Sequence, residues 1–281
     1  MTTLAGRTLL MSGGSRGIGL AIALRAARDG ANVVMLAKTA DPHPRLPGTV
    51  HTAVAQVEEA GGQGLAVVGD VRRDEDVQRA VDAAADRFGG IDVVLNNASA
   101  LDLRPTREIA MKSYDLMQDI NARGTFLLSK LAIPHLEGSD RAHVLTLSPP
   151  LDLRPQWAGS YLAYTMAKYG MSLVTLGLAE ELREAGIAVN SLWPRTTIAT
   201  AAVANLLGGE DTVSRSRTPE IMADAAHAVL VRDSRSCTGN FFIDEDVLAQ
   251  EGVTDLDQYR AVPGSDRLET DLFLDPLDGD A

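Results

Sequence analysis

One cysteine, Cys237, is present in 281 residues, so no internal disulfide can form, and its neighbours do not resemble a metal ligand set. No run of about eighteen apolar residues occurs, which excludes a helical membrane span. The opening Met1-Thr2-Thr3-Leu4-Ala5-Gly6-Arg7 lacks the basic and apolar stretches of a secretory leader. Basic residues are in the minority: 26 Lys and Arg stand against 38 Asp and Glu, a net charge of −12. A field of that sign repels polyanions, so no nucleic-acid partner is expected. The 5 histidines are scattered without a metal-binding spacing, and no metal is expected. Together these absences point to a cytoplasmic protein.

What is present is an alternation. The chain is 45% hydrophobic and 23% charged, enough for one large α/β domain. Short apolar runs at Arg7–Ser12, Asn32–Ala37, Gly64–Gly69, Ile91–Asn96, Ala142–Ser148, Ile187–Trp193 and Asn240–Ile243 read as buried strands. Helical patterns fall between them at Gly17–Asp29, Thr49–Ala60, Asp74–Phe88, Met111–Leu136, Tyr161–Ala185 and Pro219–Val231. Pro134 is expected to break or end the fourth of these. Near-continuous apolar strands separated by helices predict a single Rossmann-type, doubly wound parallel sheet with helices on both faces, over residues 1–244. Thr39–Gly48 is a turn-rich connection with three prolines. Residues 245–281 are acidic with little helical periodicity, and are expected to run as an extended tail over the same domain or a neighbour.

Ser12-Gly13-Gly14-Ser15-Arg16-Gly17-Ile18-Gly19 follows the first strand and opens the first helix. Glycines there let the backbone turn tightly and approach a pyrophosphate, which the positive helix N-terminus then holds. A plain strand-to-helix turn is the alternative. The spacing Gly13-x-x-x-Gly17-x-Gly19 is joined by Asp70-Val71 after the third strand and Asn96-Asn97-Ala98 after the fourth. Asn121 lies in the long helical stretch, and Tyr164-x-x-x-Lys168 opens a later one.

In this order the motifs resemble the short-chain dehydrogenase/reductase family from about Leu4 to Ile243. Leu147-Ser148-Pro149-Pro150-Leu151, Ala167-Lys168-Tyr169-Gly170-Met171 and Trp193-Pro194 are similar to its hydroxysteroid dehydrogenase-like branch. Some members of that branch carry a sterol-carrier domain after the dehydrogenase, and none is expected before Ala281. The resemblance implies a cofactor site built from Gly13, Ser15, Arg16, Gly17, Ile18 and Gly19, with Lys38, Asp70 and Val71 on the adenosine side. It also implies Asn97, Ala98, Tyr164, Lys168 and Pro194 toward the nicotinamide.

Tyr164 and Lys168, four residues apart on a helix, share one face. A neighbouring ammonium favours phenolate, so the phenol is expected to be acidified and to carry the proton on the substrate oxygen. The resemblance adds that Lys168 holds the nicotinamide ribose, that Asn121 interrupts helical bonding, and that a serine after the fifth strand bonds the substrate oxygen. Here Ser148 is sixteen residues before Tyr164, and Pro149 falls in the serine's usual place. Proline has no hydroxyl. Ser148 is therefore the candidate and Ser160 the backup. Ser99 and Arg195 stand where the family frequently has glycine.

The stripe Ala167, Met171, Val174, Leu178 and Leu182 has helical spacing and suits a homodimer or homotetramer, the alternative being that it faces the sheet. The expected function is hydride transfer between NADP(H) and a carbonyl or alcohol of a small, apolar or lipid-like substrate, the apolar Ile198–Leu207 segment being one reason for that class. A catalytically weak nucleotide-binding protein with a regulatory or scaffolding role is the alternative that Pro149 and Arg195 favour. NADP(H) is preferred to NAD(H) because no acid occurs between Val33 and Ala40, while Lys38 and Arg16 can pair with a 2′-phosphate. Lys38→Asp is predicted to weaken NADPH by about tenfold or more in a fluorescence titration. NADH should weaken less, and equal losses would contradict the assignment.

Overall fold

A computed structural model describes residues 3–42, 47–206, 209–265 and 267–277. Seven parallel strands form one sheet: β1 (Thr8–Ser12), β2 (Asn32–Ala37), β3 (Gln63–Val68), β4 (Val93–Asn96), β5 (His143–Thr146), β6 (Ala188–Trp193) and β7 (Phe241–Ile243). Their order is β3-β2-β1-β4-β5-β6-β7. The chain winds outward from β1 in one direction, then crosses to β4 and winds in the other. This leaves a crevice beyond the carboxyl ends of β1 and β4.

Why both faces are covered is written in the alternation of side chains along each strand. Leu9, Met11, Val33, Met35, Val93 and Leu95 point to one face and meet α1 (Gly17–Arg28), α2 (Val50–Glu59) and a later helix, Glu220–Leu230. Leu10, Val34, Leu36, Val94 and Val144 point to the other and meet α3 (Asp74–Phe88) and the helices Gly124–Leu136 and Leu162–Glu181. The register keeps neighbours in step, with Leu9 opposite Val33 and Val93, and Leu10 opposite Val34 and Val94. A one-residue slip would exchange the two faces.

The long helical stretch is divided differently from the expectation. It is α4 (Met111–Met117), a π-helical turn at Gln118–Arg123, and α5 (Gly124–Leu136). Pro134 lies inside α5, which ends two residues later at Leu136, so the stretch ends near the proline as expected but is not broken there. The break is at Asn121, whose side chain bonds outside the helix. Among the described residues three short helices, α6 (Pro155–Ser160), α8 (Ala201–Leu206) and α9 (Gly209–Ser214), fall where no helix was expected; α6 precedes α7 (Leu162–Glu181), and the other two follow the loop after β6. The expected Thr39–Gly48 turn and the Ile198–Leu207 segment lie partly outside the described residues. Ile198 itself is buried in the core, so it presents no apolar surface to a substrate.

Packing decides two further readings. The stripe Ala167, Met171, Val174, Leu178 and Leu182 takes the inward alternative: all but the half-buried Val174 are buried, Leu178 and Leu182 in the core with α5 and Ala167 beside Tyr164 and Trp193. The apolar residues α7 leaves outside are Leu162, Met166, Leu173 and Leu176. The segment after β7 opens with a helix, Asp244–Gln250, whose first turn holds three acids that complement its N-terminal dipole. Val247, Leu248 and Tyr259 then join the core beside α1. No described helix is long and apolar enough to cross a membrane.

At the base of the sheet the His143 ring is buried and bonds the Arg232 carbonyl oxygen through Nε2 (3.1 Å). Burial holds its pKa down at about 4, against an ordinary 6.5. The unfolded chain therefore binds the extra proton between these values, and stability must fall as pH drops from 6.5 to 4. That loss should be on the order of 3 kcal/mol. In urea titrations across this window, His143→Gln is expected to flatten the slope, and an unchanged slope would assign it elsewhere.

Candidate functional site

The crevice at the switch between β1 and β4 is a cleft of about 780 Å³. One wall is the glycine turn: Gly13, Ser15, Arg16, Gly17 and Ile18. The end of β2 contributes Leu36, Ala37, Lys38 and Thr39, and the loop after β3 contributes Gly69, Asp70 and Val71. Asn97, Ala98 and Ser99 close the centre, while Thr200, Ala201, Ala202 and Asn205 of the α8 region form the far wall. Thr39 and Asn205 escaped the sequence reading because nothing in a single threonine or helix asparagine signals a cleft.

The turn fits a pyrophosphate by its own construction. Helix α1 begins after Arg16, an extended residue whose side chain makes no cap, and its first turn contains no acid. Its leading N–H groups therefore keep their capacity for an anion. Gly13 has φ of +76°, and a Cβ there would meet the Ala98 backbone at 3.0 Å. Gly19 lies behind the wall: a Cβ would come within 2.5 Å of Asn97 Nδ2 and 2.6 Å of the Gly13 carbonyl oxygen. The missing side chains let Asn97 reach across and donate to the carbonyls of Ser12 (3.1 Å) and Gly13. Ala98 N in turn donates to Ser12 Oγ (3.2 Å).

On the adenosine side, Asp70 is clasped by Arg72 through Nε (3.0 Å) and Nη2 (2.6 Å), so its carboxyl is held below the usual range despite partial burial. Lys38 is 3.8 Å from the same carboxylate and remains largely exposed, at 57% of its side chain. Arg16 donates to the Gly48 carbonyl (3.1 Å) on the same side of the cleft. Both cations therefore border the end of β2, which carries no acid of its own, although Asp70 of the next loop shares Lys38.

Tyr164, Lys168, Ser148, Asn121 and Pro194 do not line the open cleft. They gather at the carboxyl ends of β5 and β6. Asn121, fully buried in the π turn, accepts from Ala100 N (2.7 Å) and donates to Ala100 O (3.1 Å). It thereby fixes the loop after β4 to the helix instead of continuing α4. Lys168 donates to the Leu147 carbonyl (2.8 Å), contacts Met171 Sδ (3.6 Å) and sits 5.1 Å from the Trp193 ring. Ser148, the next residue after Leu147, is wholly enclosed and its hydroxyl has no partner. Pro149 is likewise buried, its carbonyl taken by Ser172 Oγ (2.6 Å). Ser160 bonds its own helix at Gln156 O (3.0 Å) and is not turned to this group.

The acidified phenol expected from Tyr164 and Lys168 is not what this arrangement produces. Tyr164 is 5% exposed, and burial drives its pKa up, with the Asp271 charge adding to the rise and the Ser99 hydroxyl opposing it. Burial likewise pushes Lys168 down to about 7, with Asp271 partly opposing. In a dry site the cost of creating charge exceeds the help of a cation committed to a carbonyl oxygen. Asp271 and the neighbouring Phe273 come from the tail and were not anticipated, since no local pattern relates them to a helix over a hundred residues earlier.

A family model described as short chain dehydrogenase matches residues 7–210. Hydroxysteroid dehydrogenase-like protein 2 of Xenopus laevis is 54% identical over 97% of this chain, which spans 64% of that protein's length. The structure of a protein described as a dehydrogenase from Xanthomonas campestris superposes with a TM-score of 0.94 at 55% identity, over 97% of this chain and 99% of that one. NADH-dependent reductase A1-R′, solved in complex with NAD, superposes with a TM-score of 0.69 at 26% identity, over 85% of this chain and 95% of that one.

Gly19→Ala should force Asn97 off Gly13 and cost about 1–3 kcal/mol in urea unfolding. Affinity for NAD(P)H should fall with it, and a titration showing native affinity would mean that the turn has slack.

Proposed function

Because the chain belongs to the short-chain dehydrogenase family, we propose that it is an NADP(H)-dependent oxidoreductase acting on a carbonyl or alcohol of a small, apolar substrate. The observation that carries this reading is the juxtaposition of a phosphate-sized glycine cradle at the switch point with Tyr164 and Lys168 at the neighbouring strand ends. The same fold hosts other chemistries, so the weight rests on those side chains.

The exposed Lys38 and nearby Arg16 support NADP(H) over NAD(H), because they offer two cations to a ribose phosphate at the end of a strand that has no acid of its own. The nucleotide, when bound, supplies or accepts the hydride. Gly13, Ser15, Gly17 and Ile18 would hold its phosphates, with Asp70 and Val71 beside the adenine and Asn97 and Ala98 toward the nicotinamide. Gly19 would act through the fit of the turn and Pro194 through the backbone around Trp193.

Tyr164 gives its phenolic proton to the carbonyl oxygen in reduction and takes the proton back in oxidation. Lys168 fixes the end of β5 through Leu147 and faces the same enclosure as the phenol. Ser148 keeps a hydroxyl free for the substrate oxygen. Asn121 holds the Ala100 loop that borders the phenol.

A homodimer or homotetramer belongs to the same proposal, supported by exposed Leu162, Met166, Leu173 and Leu176 on α7 and Phe126 on α5. A cytoplasmic location is supported by the unpaired Cys237. The second reading, a catalytically weak nucleotide-binding protein, draws on the seclusion of Tyr164 and on Pro149.

A carbonyl panel followed by NADPH absorbance separates the two. Turnover is expected, with Tyr164→Phe lowering it roughly a hundredfold or more and Ser148→Ala lowering it less. NADPH binding without turnover of any carbonyl would favour the second reading, and unchanged turnover in Ser148→Ala would remove that serine from the mechanism.

A further inference from the structure

Tyr164 is closed off by the chain's own tail. After a turn near Ser265, the backbone returns along the loop that follows β6. Thr197 N donates to Glu269 O (2.9 Å), Thr196 and Thr270 pair antiparallel, and Asp271 N donates to Arg195 O (3.1 Å). The Trp193 indole N–H then donates to Leu272 O (2.9 Å). Beyond this strap, Asp275 is held by both terminal nitrogens of Arg154 at 2.9 Å.

These anchors deliver Phe273 into an aromatic box. Its ring lies 6.0 Å from Tyr164 at an interplanar angle of 28°, 5.5 Å from Tyr169 and 6.0 Å from Trp193. It is 3% exposed. Phe273 is also the only non-glycine among the described residues with positive φ, at 68°. A bulky residue takes that conformation only where its surroundings over-determine it, and such positions cluster at ligand clamps and switches. The ring is therefore driven into the box against the preference of its own backbone.

A substrate carbonyl must reach the Tyr164 hydroxyl, and the open nucleotide cleft does not include it. Tyr169 spends its hydroxyl on the Asp152 carbonyl (2.6 Å) and Trp193 its N–H on the strap, so both turn ring surface to the box. We propose that Phe273 is a stand-in for the substrate at this site: its ring holds the seat that the apolar ring of a carbonyl substrate takes beside Tyr164, and the Glu269–Asp275 strap yields when that substrate binds. The proposal rests on the oxidoreductase reading and names its substrate class, a carbonyl compound bearing a flat apolar group of about phenyl size. A hydrophilic carbonyl has nothing with which to replace the ring contacts, so it cannot shift the strap, because a ligand moves an equilibrium only by its differential affinity. An apolar ring replaces them nearly in kind.

The electrostatics agree. Asp271 keeps a partly exposed face, yet enough protein surrounds it that burial pushes its carboxyl up to about 7, with Asp244 and Glu269 adding to the rise and Lys168 opposing it. Its charge opposes ionisation of Tyr164. A strap that swings away carries Asp271 off with Phe273, which removes the charge that opposes ionisation of Tyr164.

The test compares acetophenone with dihydroxyacetone in the wild type and in Phe273→Gly, a variant that removes the ring and relieves the positive φ. In Phe273→Gly the seat no longer has to be vacated, so kcat/KM for acetophenone should rise by about tenfold or more, with NADPH affinity unchanged as the control on folding. A second readout is independent of turnover. In a Trp157→Phe background Trp193 is the sole tryptophan, so 5-fluorotryptophan labelling yields one ¹⁹F resonance. That resonance should shift on titration with acetophenone, stay fixed with dihydroxyacetone, and be already displaced in Phe273→Gly. A kcat/KM for acetophenone that does not rise in Phe273→Gly, or a resonance that acetophenone leaves in place, overturns the proposal. A shift with acetophenone but no hydride transfer to any carbonyl supports the seat and overturns the oxidoreductase reading instead.

Discussion

The approach of two backbones, the turn after β1 and the loop after β4, is the constraint on which the rest of this structure depends. Asn97 donates to Ser12 and Gly13, and it can do so only because Gly13 and Gly19 present no Cβ in its path. That contact joins the two halves of the sheet at the point where the winding reverses. It also orients the uncapped end of α1 toward the cleft. Every cofactor contact proposed for Ser15, Arg16, Lys38 or Ala98 presupposes this approach.

A second environment adjoins it with opposite physics. The cleft proposed for the nucleotide is open and lined by the glycine turn and by cations, where charge is readily accommodated. The Tyr164 enclosure is dry and aromatic, and it penalises charge on tyrosine and lysine alike. Hydride chemistry needs both kinds of place in contact: a polar cradle for a highly charged nucleotide, and a water-poor chamber for the reacting carbonyl. The strap at Glu269–Asp275 is the boundary between that chamber and solvent.

Where expectation and structure part, a local pattern has been overruled by a distant partner. Pro134 was expected to break or end the Met111–Leu136 stretch, and it lies just before the end of α5, but the break within the stretch falls elsewhere. Asn121 makes the actual interruption because Ala100 offers it a donor and an acceptor at once. The apolar period on α7 was visible, but its direction was not. Two apolar surfaces share that helix, and only packing shows that Met171 and Leu178 go inward while Met166 and Leu173 stay outside. The pairing of Tyr164 with Lys168 was likewise legible as spacing, whereas the electrostatic result depended on Leu147, Trp193 and Asp271.

By itself, then, the order of residues determined the parallel sheet, the glycine turn and the position of the Tyr164–Lys168 pair, because periodicity and short-range steric rules act over a few residues. It also determined the family, through motifs each written within a single turn or helix. Tertiary structure alone decided what surrounds the phenol. Phe273 follows Tyr164 by more than a hundred residues, and no local interaction connects them; their contact exists because the tail returns to pair with Thr196 and Thr197. Burial is a property of the folded whole, so the proton affinity of Tyr164 could be read only after the chain had closed over it.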